Sequence, residues 1–268
     1  MRELTFGFSP CPNDTFAFHA LVHGLVAAPF QAKPVLLDIE ELNLAAGDSR
    51  FDLTKLSVGA MPVVADRYSM LRSGAALGHG CGPLVVAREE TTLAAAIEGT
   101  LAIPGRRTTA FALLRLLAGE PPNAVELRFD RILGAVEHAE VDAGLIIHES
   151  RFTYRDHGLV AVADLGELWE QSTSLPVPLA TICARSDIDG ELRAAAESAI
   201  RESVEYAFAH PEASADYVAA HSQELSPEVC RQHIALYVNE FSIDIGDAGV
   251  AAIDALVTSE EVRLERAE

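Results

Sequence analysis

The sequence predicts an α/β protein with two lobes, and three features of the 268-residue chain support that prediction. Short β-rich runs such as LTFGF, LTKLS and TLAIP alternate with amphipathic helical segments, which is typical of parallel α/β sheets. After about residue 189 the pattern changes to helix alone. A chain of this length that is 49% hydrophobic can also bury two sizeable cores.

The helical region begins with ELRAAAESAIRESVEYAF. Its apolar residues recur at every fourth position, which predicts one stripe of a helix that packs on a lobe. The stripe consists of Leu192, Ala196, Ile200, Val204 and Phe208. Three further helices are predicted after it.

Two β-like runs, at residues 82–89 and 176–185, bracket a middle segment that has its own strands and helices. We therefore expect one discontinuous lobe made of residues 1–88 and 184–268. The second lobe, residues 89–183, is expected to be inserted between two crossing strands. Such an arrangement predicts a cleft that closes like a hinge.

Composition and charge argue against several functions. The formal net charge of −20 disfavours nucleic acid or an anionic membrane as a partner, because both require basic surface. No apolar run approaches the roughly 20 residues of a membrane span. The N-terminus also lacks the pattern of a secretory signal, so we expect a cytoplasmic protein. Nothing in the sequence indicates an oligomeric state.

Polar residues stand where strands end and helices begin, which is where open α/β sheets bind ligands. The first such stretch is SPCPNDT, after the first strand. Asn13 or Asp14 can cap the following helix, and Pro10 and Pro12 can fix the approach of the chain. Capping explains only one or two of these residues. We therefore also expect Asn13 and Asp14 to form a wall of the cleft.

The third strand, in LTKLSVGAM, carries Lys55 and Ser57 on one side, because strand side chains alternate with a period of two. Both side chains can therefore reach one ligand. Ser57 lacks the glycine two positions earlier that a GxSxG nucleophile elbow needs, so a binding serine is predicted. The alternative is a serine at a strand end beside a surface lysine.

The segment GRRTTAFALL begins a helix at Thr108 and Thr109. The free N–H groups of a first turn and two hydroxyl groups predict a seat for a carboxylate or a phosphate. Arg106 and Arg107 supply positive charge nearby. This seat would let an acidic chain attract an anionic small molecule. The alternative is a threonine N-cap beside solvated arginines.

His148 follows the apolar strand AGLII directly, so its imidazole is expected to open into the cleft. There it would titrate near neutral pH and could act as a general base, the alternative being a structural histidine. His79 and Cys81 provide only two metal ligands, and the four cysteines show no paired metal spacing. Neither GxGxxG nor HExxH occurs. The motifs therefore predict neither a metal nor a dinucleotide cofactor.

Taken together, these motifs resemble the 1,4-dihydroxy-6-naphthoate synthases of the futalosine route to menaquinone. The resemblance spans nearly the whole chain and rests on FSPCPNDTF, LTKLS, LRSGAALGHGCGPLVVAR, PGRRTTAFALL, AGLIIHESRFTY and YVNEFSIDIG. It implies a two-lobed fold similar to type II periplasmic binding proteins. It also implies a lyase that converts cyclic de-hypoxanthine futalosine to the dihydroxynaphthoate by eliminating the sugar remnant, without a metal or organic cofactor.

The resemblance also implies roles for individual residues. The two substrate-binding segments and the proton acceptor of the family fall on Lys55, Leu56, Ser57, Thr109, Ala110 and His148. Some relatives have a histidine before the two threonines, and this chain has Arg107 there.

Two alternatives share the same fold. A solute-binding protein for a small carboxylate would use the Thr109 seat without chemistry, and the cleft-facing His148 and the missing signal peptide argue against it. A chorismate dehydratase of the same pathway is the second alternative. The HESRFTY segment favours the synthase.

Overall fold

In the computed structural model, which describes residues 2–223 and 226–267, the strands form one sheet of six strands and one of five. The predicted α/β class is confirmed. We call each sheet with its covering helices a lobe. No helix in the described part of the chain is long and apolar enough to cross a bilayer.

The first sheet has the order β2-β1-β3-β11-β4, and β5 also pairs with β11. β1 runs parallel to β2 and β3, whereas β11 is antiparallel to its neighbours. The strands are β1 Arg2–Phe8, β2 Phe30–Leu36, β3 Leu53–Ser57, β4 Tyr68–Met70, β5 Ala76–Gly78 and β11 Val177–Arg185.

The second sheet has the order β10-β6-β9-β7-β8. β7 is parallel to β8 and β9, and β6 is antiparallel to β9 and β10. The strands are β6 Leu84–Ala87, β7 Thr100–Ile103, β8 Asn123–Glu126, β9 Ala143–Ile146 and β10 Val160–Asp164.

Helices cover both sheets. The first lobe begins with α1 Pro12–Val22 and α2 Ile39–Ala46, and the second carries α3 Leu93–Glu98, α4 Thr109–Ala118, α5 Phe129–Glu137, α6 Ser150–Thr153 and α7 Leu165–Thr173. The C-terminal helices are α8 Gly190–Ala209, α9 Ala215–His221, α10 Pro227–Tyr237, α11 Glu240–Ile243 and α12 Gly246–Ala267. Short 3₁₀ helices lie at Val58–Val64, Tyr154–His157 and Pro211–Ser214.

Aromatic packing holds α1 on the first sheet. The rings of Phe6 and Phe8 on β1 lie 5.0 and 5.3 Å from the ring of Phe18 on α1, and all three side chains are buried. The predicted stripe of α8 joins this core at its first four positions. Its fifth position, Phe208, is 44% exposed, so the stripe is one turn shorter than predicted.

The strand membership corrects the predicted boundaries between the lobes. β6 pairs only within the second sheet and β11 only within the first, so residues 82–89 and 176–185 are not strands that cross between lobes. The chain passes between the sheets just before each of these strands. Hydrophobic patterning identifies a buried strand but carries no information about which sheet it joins.

Two glycines fix the position of the segment between β5 and β6, where the chain first passes from one sheet to the other. A Cβ atom on Gly82 would overlap the backbone N and Cα of Gly166, so the two backbones touch. Arg151 ties the same point by donating from its guanidinium to Gly82 O at 2.7 Å and to the Asp164 carboxylate at 2.6 Å.

We expect Gly82→Ala to lower the free energy of unfolding by about 1–3 kcal/mol, since an added methyl group must displace backbone and not a flexible side chain. The matched control is Gly134→Ala in α5, where a Cβ atom meets nothing within 4 Å. That change should stabilise the helix by up to about 1 kcal/mol. Urea unfolding of both variants measures the difference, and equal stabilities would contradict the close approach.

Candidate active site in the cleft between the sheets

A cavity of about 590 Å³, including its open mouth, lies between the lobes. Strand ends and helix starts from both lobes line it. Six of the eight residues predicted from the sequence are in its wall, namely Asn13, Lys55, Ser57, Thr109, Ala110 and His148. The other two lie outside the wall. Asp14 is behind Lys55, and Leu56 points to the opposite face of β3, where it packs with Tyr68 and Cys183.

The opening stretch forms the wall but does not cap α1 as predicted. The N-cap of α1 is Cys11, without a side-chain cap, and Pro12 is the first helical residue. Asp14 instead forms an ion pair with Lys55, whose side chain is 6% exposed while that of Asp14 is 2% exposed. Lys55 is therefore a buried cation and not a surface lysine.

The Asp14 carboxylate is fully hydrogen-bonded. Its Oδ2 accepts from the backbone N–H and the hydroxyl of Ser9 at 3.0 and 2.7 Å. Its Oδ1 accepts from the Asn13 amide at 2.9 Å and from Lys55 Nζ. Because each carboxylate oxygen of Asp14 accepts two hydrogen bonds, the wall keeps one fixed arrangement.

Ser57 belongs to a second hydrogen-bond network, with Asn43 and Glu40, which was not predicted from the sequence. Asn43 on α2 accepts from Ser57 N at 2.9 Å and donates to Ser57 Oγ at 3.0 Å and to Glu40 Oε2 at 3.1 Å. Glu40 then accepts from Arg107 N of the second lobe at 3.0 Å. Burial raises the pKa of Glu40. A signal for both residues was present, since they lie three positions apart beside the apolar Ile39 and Leu42 of α2.

The first turn of α4 packs directly on the first lobe. The Thr109 hydroxyl donates to Leu179 O at 2.6 Å and accepts from Gly59 N at 3.1 Å. The predicted seat cannot use this hydroxyl, because it already joins the lobes. Thr108 is the N-cap, since its hydroxyl accepts from Phe111 N at 3.3 Å.

The donors that remain for the predicted anion seat are therefore backbone N–H groups. None of the hydrogen bonds found among the described residues uses the N–H of Thr109 or Ala110, and both residues line the cavity. The first N–H groups of a helix lack partners within the helix and carry its positive dipole end. Arg106 is directed away to Glu126 at 3.1 Å, and Arg107 donates to Asn43 O at 3.4 Å.

His148 follows β9 in a strained conformation, with φ at +57° in the left-handed region. Its ring packs edge-on to Phe129 at a centroid distance of 4.8 Å. Within residues 2–223 and 226–267, the buried Nε2 has no hydrogen-bond partner. Burial, and to a smaller extent the Lys55 cation, lower the pKa of His148 to about 4, although the Asp14 carboxylate opposes both. The predicted titration near neutral pH is thus wrong for the empty cleft.

A second histidine, His233 on α10, lies at the site and was not found from the sequence. It is fully buried, its ring stacks on that of His148 at 6.1 Å, and its Nε2 lies 2.9 Å from Asn13 Oδ1. Because the Asn13 amide nitrogen donates to Asp14, Oδ1 must accept, so His233 Nε2 carries a hydrogen. His233 Nδ1 lies 3.8 Å from Glu149 Oε2.

Metal-capable side chains also meet at this point. Cys11, His148 and Glu149 bring one ligand atom each to within 4.8 Å of one another. Among the described residues, the motif residues His79 and Cys81 form no such group, and His79 is exposed and pairs with Glu170 at 3.2 Å.

Comparison with known proteins places this chain in a family. The family model described as "Menaquinone biosynthesis" matches residues 4–261. A protein of Thermus thermophilus named 1,4-dihydroxy-6-naphtoate synthase is 55% identical over 265 residues, covering 98% of this chain and 96% of that protein. A protein of Streptomyces coelicolor with the same name is 44% identical over 261 residues, covering 95% and 92%.

Solved structures agree with the observed architecture. A crystal structure of an Archaeoglobus fulgidus protein superposes with a TM-score of 0.92 at 35% identity and covers 97% of both chains. A Candida albicans protein described as having the generic periplasmic binding protein fold reaches a TM-score of 0.68 at 13% identity, covering 98% of this chain and 91% of that one. The latter shows the fold alone, and it confirms the predicted two-lobed architecture.

We expect Thr109→Val to loosen the closed cleft, because it removes two hydrogen bonds between the lobes, worth about 1–3 kcal/mol together. The radius of gyration from small-angle scattering, measured without ligand, should be larger than that of the parent. Thr109→Ser keeps the hydroxyl and should remain as compact as the parent. Identical scattering from Thr109→Val and the parent would show that these bonds do not hold the lobes together.

Proposed function

The chain belongs to the menaquinone biosynthesis family, and from that membership we propose that it is a lyase that converts cyclic de-hypoxanthine futalosine to 1,4-dihydroxy-6-naphthoate. One observation supports an enzyme above all others. His148 lies in the cleft with a buried, unpartnered Nε2 (among the residues that the structure describes) in a strained backbone conformation. A proton acceptor in this position is typical of general-base catalysis.

The proposed substrate is held from both lobes. Its aryl carboxylate would accept hydrogen bonds from the N–H groups of Thr109 and Ala110, at the positive end of α4. Lys55 and Ser57 would contact polar groups from the opposite wall, since both line the same cavity. Closure then excludes water from the reacting atoms.

His148 would remove the carbon-bound proton whose loss starts the elimination. The electron pair of that C–H bond enters the new ring system, and the sugar remnant leaves with the electrons of the broken bond. Formation of an aromatic naphthalene ring provides the driving force. The protein therefore needs to supply only orientation and one base, and the bond cleavage involves neither oxidation nor hydrolysis.

We also propose a cytoplasmic location. Cys11, Cys81 and Cys183 are buried thiols and form no disulfide, which suits a reducing compartment.

A solute-binding protein of the same fold would use the α4 seat but would gain nothing from His148. The chorismate dehydratase alternative conflicts with the synthase name of both curated relatives. Purified protein incubated separately with cyclic de-hypoxanthine futalosine and with chorismate, followed by chromatography of the products, tests all three functions. Binding without conversion of the cyclic substrate would overturn the proposal in favour of a solute-binding protein.

We expect His148→Asn to lower turnover by at least about 100-fold, the lower bound for general-base catalysis, with little change in substrate affinity. The control His79→Asn alters an exposed histidine outside the cleft and should leave turnover unchanged. Circular dichroism establishes that both variants fold. A folded His148→Asn enzyme within a few-fold of the parent would rule out His148 as the base.

The pH profile gives a separate test. Only neutral imidazole accepts a proton, and burial holds the pKa of His148 at about 4 in the empty cleft. We therefore expect kcat/KM to stay level as the pH falls from 8 toward about 5 and to decline only as the pH approaches about 4. A midpoint near the ordinary histidine pKa of about 6.5 would contradict a desolvated base.

A further inference from the structure

The geometry points to a transition-metal site made by Cys11, His148 and Glu149, at which Zn²⁺ binds and inhibits the protein. We infer that the metal clamps the two lobes together through these side chains. The site itself stands independently of the proposed reaction, and only its effect on turnover rests on the proposed function.

The three ligands converge in a buried place. One ligand atom from each residue lies within 4.8 Å of the others. Zinc bonds of about 2.0–2.3 Å put tetrahedral ligands roughly 3.3–3.8 Å apart, so modest side-chain rotation completes the set. Of these residues, Cys11 and Glu149 are buried, at 2% and 7% exposure. His148 Nε2 is buried without a hydrogen-bond partner in the described part of the chain, so a metal bound there would replace no existing hydrogen bond.

The donor set selects the metal. Thiolate and imidazole bind Zn²⁺ and similar borderline or soft ions, whereas Mg²⁺ and Ca²⁺ prefer oxygen ligands throughout. Binding forms a metal–sulfur bond as the Cys11 thiol loses its proton to solvent, so charge and atoms balance. Three protein ligands leave a fourth position for water. His233 lies behind Glu149, with its Nδ1 3.8 Å from Glu149 Oε2.

The ligands come from different lobes. Cys11 ends the β1–α1 turn of the first lobe, whereas His148 and Glu149 follow β9 of the second. A bound ion therefore holds the cleft closed. It also occupies the nitrogen lone pair of His148, which removes the proposed base. Both effects lead to inhibition.

Titration of the metal-free protein with Co²⁺ tests the site directly, because a thiolate ligand gives a near-ultraviolet charge-transfer band. We expect one saturable Co²⁺ per chain with that band, and displacement by Zn²⁺. Cys11→Ser should abolish the band and weaken Zn²⁺ binding, measured by calorimetry, by at least about 10-fold. Serine is a favoured N-cap, so this variant keeps the start of α1.

The matched control is Cys81→Ser, which alters a buried thiol that lines the cavity with His148 but lies outside the cluster. It should bind Co²⁺ like the parent. Glu149→Gln provides a second variant in the cluster and should also weaken binding. A band that survives in Cys11→Ser, a band lost in Cys81→Ser, or no saturable binding by the parent would each overturn the site.

Turnover is measured in the same samples. Zn²⁺ should inhibit the parent, and a chelator should restore activity. Zn²⁺ binding to the predicted ligands without inhibition would overturn the clamp. If the parent binds Co²⁺ as predicted but never converts the cyclic substrate, the proposed function fails and the metal site remains.

Discussion

The buried ion pair between Asp14 and Lys55 is the constraint on which the rest of the site depends. Two opposite charges withdrawn from water are costly, and the pair is tolerated only because Ser9 and Asn13 complete the hydrogen bonding of the carboxylate. The pair fixes Asn13, which fixes the tautomer of His233, whose Nδ1 faces Glu149. The same Lys55 charge lowers the pKa of His148. One ion pair thus sets both the shape and the electrostatics of the cleft.

The contacts that join the two lobes do not involve the Asp14–Lys55 ion pair. Thr109 joins the lobes through its hydroxyl, and Glu40 joins them by accepting from Arg107 N. Gly105, two residues before Arg107, has a φ of +150°, and a side chain at this position would collide with the carboxyl group of Glu40. The first turn of α4, which is the proposed anion seat, therefore lies at the interface between the lobes. A ligand bound at the proposed seat would contact atoms of both lobes, so its binding would favour the closed arrangement.

The local sequence pattern predicted the strands, helices and caps well, because a short stretch of sequence specifies each of them. The β1 strand, the α8 stripe and the Thr108 cap follow from burial period and capping chemistry. His233 is different, because it reaches Asn13 across 220 positions of sequence, and no local pattern carries that separation. The lobes predicted for β6 and β11 were wrong for the same reason, since strand pairing also joins residues that are far apart in the sequence. Glu40 and Asn43 could have been predicted from the sequence, because polar residues on the apolar face of a helix indicate a buried hydrogen-bond network.

The low pKa of His148 has a consequence for the proposed chemistry. A base with a pKa of about 4 is neutral at physiological pH, but it is a weak base. Burial and Lys55 cause this weakness, and a bound carboxylate opposes it, because an anion in the same low-dielectric cleft favours imidazolium. In the proposed mechanism, the charge of the substrate would therefore strengthen the base that acts on it. His148 would thus be neutral before the substrate binds and would become a stronger base once the carboxylate lies in the cleft.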